Sequence, residues 1–151
     1  MSVNALLWTA LQSVNPWAVL ACAIIQEVFA FLWFGCILKN VGDYYLAADK
    51  GVRRVEHIVH RYSFLFCNST TIAAGILRAV SVQVMVTVCG GHTFNDYQQA
   101  AVVIALLSCI NLHDSFWSQR PLPLLLTNCG YEAAAAVLAA VSYFGMQKYV
   151  F

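Results

Sequence analysis

WAVLACAIIQEVFAFLWFGCIL, the stretch Trp17–Leu38, decides the fold. As a helix rising about 1.5 Å per residue it spans roughly 33 Å, enough to cross a hydrocarbon core of about 30 Å. Yet it carries a carboxylate, Glu27, near its centre. Two further apolar stretches repeat the pattern: Ser63–Val88 holds Arg78 and Leu122–Phe144 holds Glu132. A charge at bilayer depth costs several kcal/mol unless it is paired or faces a wet cavity. Two negative charges and one positive at similar depth therefore predict helices stapled together inside a membrane. Gln26 and Asn128 lie beside them and are expected to add interhelical hydrogen bonds, while Ala73, Ala74, Gly75, Gly130 and Ala134 let the backbones approach.

The composition agrees. The chain is 61% hydrophobic and 10% charged, with a mean hydropathy of +0.70, against roughly a quarter charged in soluble domains. A fourth stretch runs from about Tyr97 to just beyond Leu112. The expected architecture is an all-α membrane protein: a short amphipathic interfacial helix (1–15), then a four-helix transmembrane bundle (16–151), with spans near 17–38, 63–88, 97–114 and 122–144. Val3, Leu6, Leu7, Ala10, Leu11 and Val14 form the stripe of the first helix, and Pro16 redirects the chain into the first span. Val52, Val55, Ile58, Val59 and Tyr62 predict a second surface helix, in the first connection.

Basic residues set the orientation. Lys39, Lys50, Arg53, Arg54, Arg61 and Arg120 fall on the first and third connections, whereas Lys148 lies on the opposite side. The positive-inside rule then turns the termini away from the cytoplasm or matrix. Eight basic residues against seven acidic leave no stripe for nucleic acid. The amino-terminal residues have neither the basic start and small-residue cleavage site of a secretory signal nor the arginines of a transit peptide.

No reaction is legible. The six cysteines show no CxxC or zinc spacing; Cys22, Cys36, Cys67, Cys109 and Cys129 lie within or at the ends of apolar spans and read as small buried hydrophobes, whereas Cys89 falls at a turn. His57, His60, His113 and Asp114 share one predicted membrane face but lack diagnostic metal spacing, and no histidine lies mid-span to hold a haem. Trp8, Trp17, Trp33, Trp117, Tyr62, Tyr97 and Tyr143 read as an interfacial belt. No GxSxG, HExxH or phosphate-binding loop is present. No cofactor or metal is expected.

Asn15-Pro-Trp-Ala-Val-Leu, continuing to Phe31-Leu-Trp-Phe-Gly35, resembles the opening of domain-of-unknown-function family 1761. Arg120-Pro121 followed by Thr127-Asn-Cys-Gly-Tyr131 is similar to that family's Arg-Pro, apolar run and Asn-x-Gly-Tyr. The chain departs from the pattern at Pro16, between the Asn and the Trp, and at Phe34, where Tyr is usual. The resemblance implies a four-span membrane fold without an established activity, and marks Asn15, Trp33, Asn128 and Tyr131 as family-typical. Arg61 through Asn68 only faintly resembles a motif of the four-span microsomal glutathione transferases, and the glutathione-binding arginines are not recognisable.

These readings point to a non-catalytic accessory subunit of a larger membrane complex, with a mitochondrial respiratory or ATP-synthesising complex of the inner membrane favoured as host. Its expected partners are other membrane subunits and the lipid bilayer, including bound phospholipid. One alternative is a small transporter or channel built on Glu27, Arg78 and Glu132. The other is a glutathione-transferase-like membrane enzyme.

Overall fold

A computed structural model describes residues 3–58, 62–110 and 112–150. Helices account for most of those residues, and no strand occurs among them. Helix α1 spans Val3–Gln12; α2, Pro16–Leu32, continues through a π-helical turn at Trp33–Ile37; α3 covers Lys39–Asp49. After a 3-10 turn at Val55–His57 come α4 (Phe64–Val88), α5 (Phe94–Ile110), α6 (Leu112–Trp117) and α7 (Leu122–Tyr149). Among the described residues, four helical segments are long and apolar enough to cross a membrane: Pro16–Ile37, Phe64–Val88, Phe94–Trp117 and Leu122–Tyr149.

Local chemistry sets where these helices begin and end. The Asn15 side-chain oxygen accepts from the backbone N–H groups of Trp17 (3.0 Å) and Ala18 (3.4 Å), and Pro16 follows where its missing donor costs nothing. Ser63 caps α4 by accepting from Phe66 N–H at 3.2 Å. Asp96 reaches back to the N–H groups of His92 (2.9 Å) and Thr93 (2.7 Å) at the start of α5. Gly90 adopts φ +67°, and bonds from Gly91 N–H to Val86 and from Gly90 N–H to Thr87 close α4 as a Schellman motif.

The same motif ends α3 at Gly51, also at φ +67°. That stop corrects one expectation. The regular helix of the first connection precedes Gly51; the stripe predicted at 52–62 provides only the turn Val55–His57 among its described residues. Val59, His60 and Arg61 lie outside the described residues.

Helices α2, α4, α5 and α7 form the bundle, with α4 and α7 in contact across it, α2 on one flank and α5 on the other. Alanine dominates the packed seams: Ala18, Ala79, Ala135, Ala136 and Ala139 are fully buried. Such small side chains let helices approach closely enough for dispersion and polar contacts to hold them where no hydrophobic force acts between them. At Gly75 the approach is tightest, since a Cβ there would stand 3.2 Å from the Ala23 Cα. Outward faces are apolar, with Ile24, Phe31, Leu65, Leu77, Leu106 and Leu126 all exposed.

Helix α1 folds back on α4 and buries Ala10, while Leu7 and Leu11 of its stripe stay exposed, as does Trp8 beside it. The belt reading also needs correction. Trp8, Trp17, Trp117 and Tyr62 are exposed, but Tyr97 and Tyr143 are core residues. Their hydroxyls have partners inside, which lets a phenol be buried: Tyr143 accepts from Asn15 N–H at 3.1 Å, and Tyr97 donates to Gln83 Oε1 at 2.8 Å.

Gly75→Leu is expected to force α2 from α4 and lower detergent-solubilised stability by about 1–3 kcal/mol. Gly42→Ala, inside α3 where an added Cβ meets nothing within 4 Å, should hold or slightly raise the melting temperature. Equal melting temperatures for the two variants would contradict the close α2–α4 approach.

Candidate functional site

The charged residues resolve into one pair and one outsider. Arg78 on α4 reaches across the bundle, placing its Nη2 2.6 Å from Glu132 Oε2 on α7. Its other terminal nitrogen donates to Gln26 Oε1 at 3.4 Å. Gln26 in turn donates to the backbone carbonyls of Cys22 (3.3 Å) and Gly75 (3.2 Å), so a single side chain ties α2 to α4 and to the guanidinium. The Arg78 side chain is 10% exposed and that of Glu132 33%, which leaves the carboxylate end as the pair's open side.

Glu27 does not join the pair. Adjacent helical positions differ by about 100°, so turning Gln26 into the core swings Glu27 toward the rim. Its Oε2 is buried, and together with the Tyr131 hydroxyl it is a buried side-chain atom without a hydrogen-bond partner among the described residues. The expected three-residue staple is therefore a pair plus an amide, with a lone carboxylate alongside.

An aromatic cluster closes the same level. Tyr131 stacks on Phe29 at 5.8 Å and meets Phe34 at 4.9 Å, while the Arg78 guanidinium carbon lies 5.6 Å from its ring centre. Trp33, at the start of the π-helical turn, donates from its indole nitrogen to the Thr127 carbonyl at 3.2 Å and packs on Gly130. A Cβ at Gly130 would sit 3.3 Å from the Trp33 ring. Of the family-typical positions, Trp33 and Tyr131 share this cluster and Asn15 caps α2 at the other end. Asn128 departs from expectation: it is exposed, and its side chain makes no hydrogen bond among the described residues. Thr127, one residue earlier, faces α2 and makes the interhelical contact through its backbone instead.

Two features escape a reading based on charge alone. At the far end of the bundle Tyr97 lies within hydrogen-bond distance of both Gln83 (2.8 Å) and Gln147 (2.5 Å). Gln83 also donates to Thr87 at 3.1 Å. These groups border a cavity of about 820 Å³ that Ser13, His92, Phe144 and Lys148 also line. Gln83 interrupts an apolar span and was the available signal. The second is a pair of thiols, with Cys109 Sγ on α5 2.8 Å from Cys129 Sγ on α7. Cysteine burial also differs from expectation: Cys22 is buried, whereas Cys36 and Cys67 are exposed, as is Cys89 at its turn. On helices surrounded by lipid an exposed thiol still meets an apolar medium, so span position alone does not report burial. Among the described residues no three His, Cys, Asp or Glu side chains group as a metal site. His57 is exposed, and His113 lies 3.3 Å from Asp114 and 3.0 Å from the Ile110 carbonyl oxygen.

Arg78→Leu strands Glu132 and is expected to cost about 3 kcal/mol, whereas Arg78→Leu/Glu132→Leu leaves no lone charge and should cost clearly less. Glu27→Gln removes a carboxylate with no ion-pair partner and should leave stability equal or higher. Unfolding in mixed micelles against increasing dodecyl sulfate measures all three; a large loss with Glu27→Gln would show that Glu27 is the true partner of Arg78.

No family model, curated protein or solved structure matches the chain, so the resemblance around Asn15–Gly35 and Arg120–Tyr131 stands on those residues alone.

Proposed function

We propose that this multi-pass protein is a non-catalytic membrane subunit that docks against other membrane-embedded subunits, with Asn128 at the docking face. One observation carries the reading: the Asn128 side chain is exposed on the outside of α7, seven residues from Pro121. At about 1.5 Å per residue it lies roughly 10 Å along the helix, at a depth where water is scarce. A primary amide offers two donors and an acceptor, and leaving them unmet in hydrocarbon is costly. A neighbouring transmembrane helix meets them. The apolar residues around it, such as Leu126 and Leu122, are equally suited to lipid or to a partner helix. The internal Arg78–Glu132 pair fits a fold-fixing role within such a subunit. A mitochondrial inner-membrane complex remains the favoured host in this proposal.

A second reading has its own support. Glu27 Oε2 and the Tyr131 hydroxyl, both buried and without hydrogen-bond partners among the described residues, are an acceptor and a donor available to a proton or small polar solute. In that reading the protein is a small carrier.

Mild detergent extraction from native membranes, a native gel and mass spectrometry separate the two. The subunit reading expects co-migration with a defined complex in fixed stoichiometry. It expects Asn128→Leu to release the chain from that complex while its own melting temperature holds. Migration as a lone monomer would sink it. Flux into proteoliposomes that Glu27→Gln abolishes would then favour the carrier.

A further inference from the structure

The closest approach of two reactive side chains in this structure lies outside the charged core, between Cys109 near the end of α5 and Cys129 in the third turn of α7. Their sulfurs stand 2.8 Å apart, and both residues are partly exposed. We propose that Cys109 and Cys129 form a redox-active dithiol that is oxidised to an α5–α7 disulfide by hydroperoxides dissolved in the membrane.

The geometry favours this pair alone. Rotation of the side chains, without separation of the helices, brings the sulfurs to the bonding distance of about 2.05 Å. Helices α5 and α7 already pack along their length, so the bond forms within an existing contact. Cys129 lies about 12 Å along α7 from Pro121 at 1.5 Å per residue. An oxidant dissolved in hydrocarbon meets the pair there more often than one confined to water. The other four cysteines have no sulfur neighbour among the described residues.

The reaction balances with an organic hydroperoxide as the sole co-reactant. One thiol sulfur attacks the terminal oxygen, the O–O bond breaks, and the alcohol leaves with the proton, giving a sulfenic acid. The second sulfur attacks the first; the S–O bond breaks and water departs with the remaining proton. Two electrons pass from the dithiol to the peroxide. The product covalently joins α5 to α7 one turn before Glu132, whose carboxylate is within electrostatic reach of Cys109. Oxidation therefore stiffens the wall beside the Arg78–Glu132 pair.

The full chain, reduced and reconstituted in phosphatidylcholine nanodiscs, is treated with cumene hydroperoxide, denatured and alkylated with N-ethylmaleimide. Two of the six cysteines should escape alkylation, peptide mapping should find Cys109 linked to Cys129, and one equivalent of cumyl alcohol should form per link. Hydrogen peroxide at equal concentration should form the link more slowly. In Cys129→Ser, Cys109 should be trapped by dimedone as a sulfenic acid. Six alkylated cysteines, a link between a different pair, or equal rates with the two peroxides would overturn the proposal. The wild-type measurement decides even if the variant does not fold.

Discussion

Everything in this bundle is arranged around a guanidinium that must not be left alone. Arg78 sits inside four apolar helices, and an uncompensated charge there would outweigh much of a protein's net stability. Glu132 supplies the opposite charge from α7, and Gln26 supplies a neutral acceptor from α2. Because these partners come from two further helices, satisfying Arg78 also fixes the rotation of α2, the height of α7 and the approach of α4 to both. The alanine seams allow many similar packings. A short directional contact selects one of them.

The spans and their charges were legible in the sequence because a charged residue in an apolar run has few explanations. Which carboxylate would pair with Arg78 was not. Glu27 and Glu132 lie at similar distances from the ends of their helices, and the choice rests on the rotation of α2. That rotation depends on whether Gln26 or Glu27 turns inward, a difference of one residue. Asn128 shows the same limit, since its neighbour Thr127 faces α2. In the first connection the stripe after Gly51 resembled a helix face, whereas the glycine was the stronger signal: it ends α3 in a left-handed turn. The thiol pair was hidden because Cys109 and Cys129 are separated by a corner whose geometry no spacing rule describes.

The two polar centres differ in character. Around Arg78 the groups are matched in charge, closely packed and roofed by Tyr131 and Trp33. Around Tyr97 the groups are neutral, and they border open space. A single phenolic proton cannot be given to two amide oxygens at once. Gln83 is oriented by its own bond to Thr87, so Gln147 is the amide that turns to offer its nitrogen to Tyr97. One end of the bundle is thus held by fixed charge, and the other by a chain of amides and hydroxyls whose direction one rotation can change.

The bond from Asn15 to Tyr143 joins residues 128 positions apart, and it has a consequence for biosynthesis. Helix α2 is made before α4 and α7, the helices that carry its polar contacts. Until α7 enters the bilayer, Arg78 has no Glu132, Trp33 has no Thr127 carbonyl and the backbone of Asn15 has no phenol. Helices α2 and α4 can pack earlier through Gln26, but Arg78 stays without its counter-charge until α7 arrives. A chain cut short before α7 would lack the carboxylate that neutralises its core.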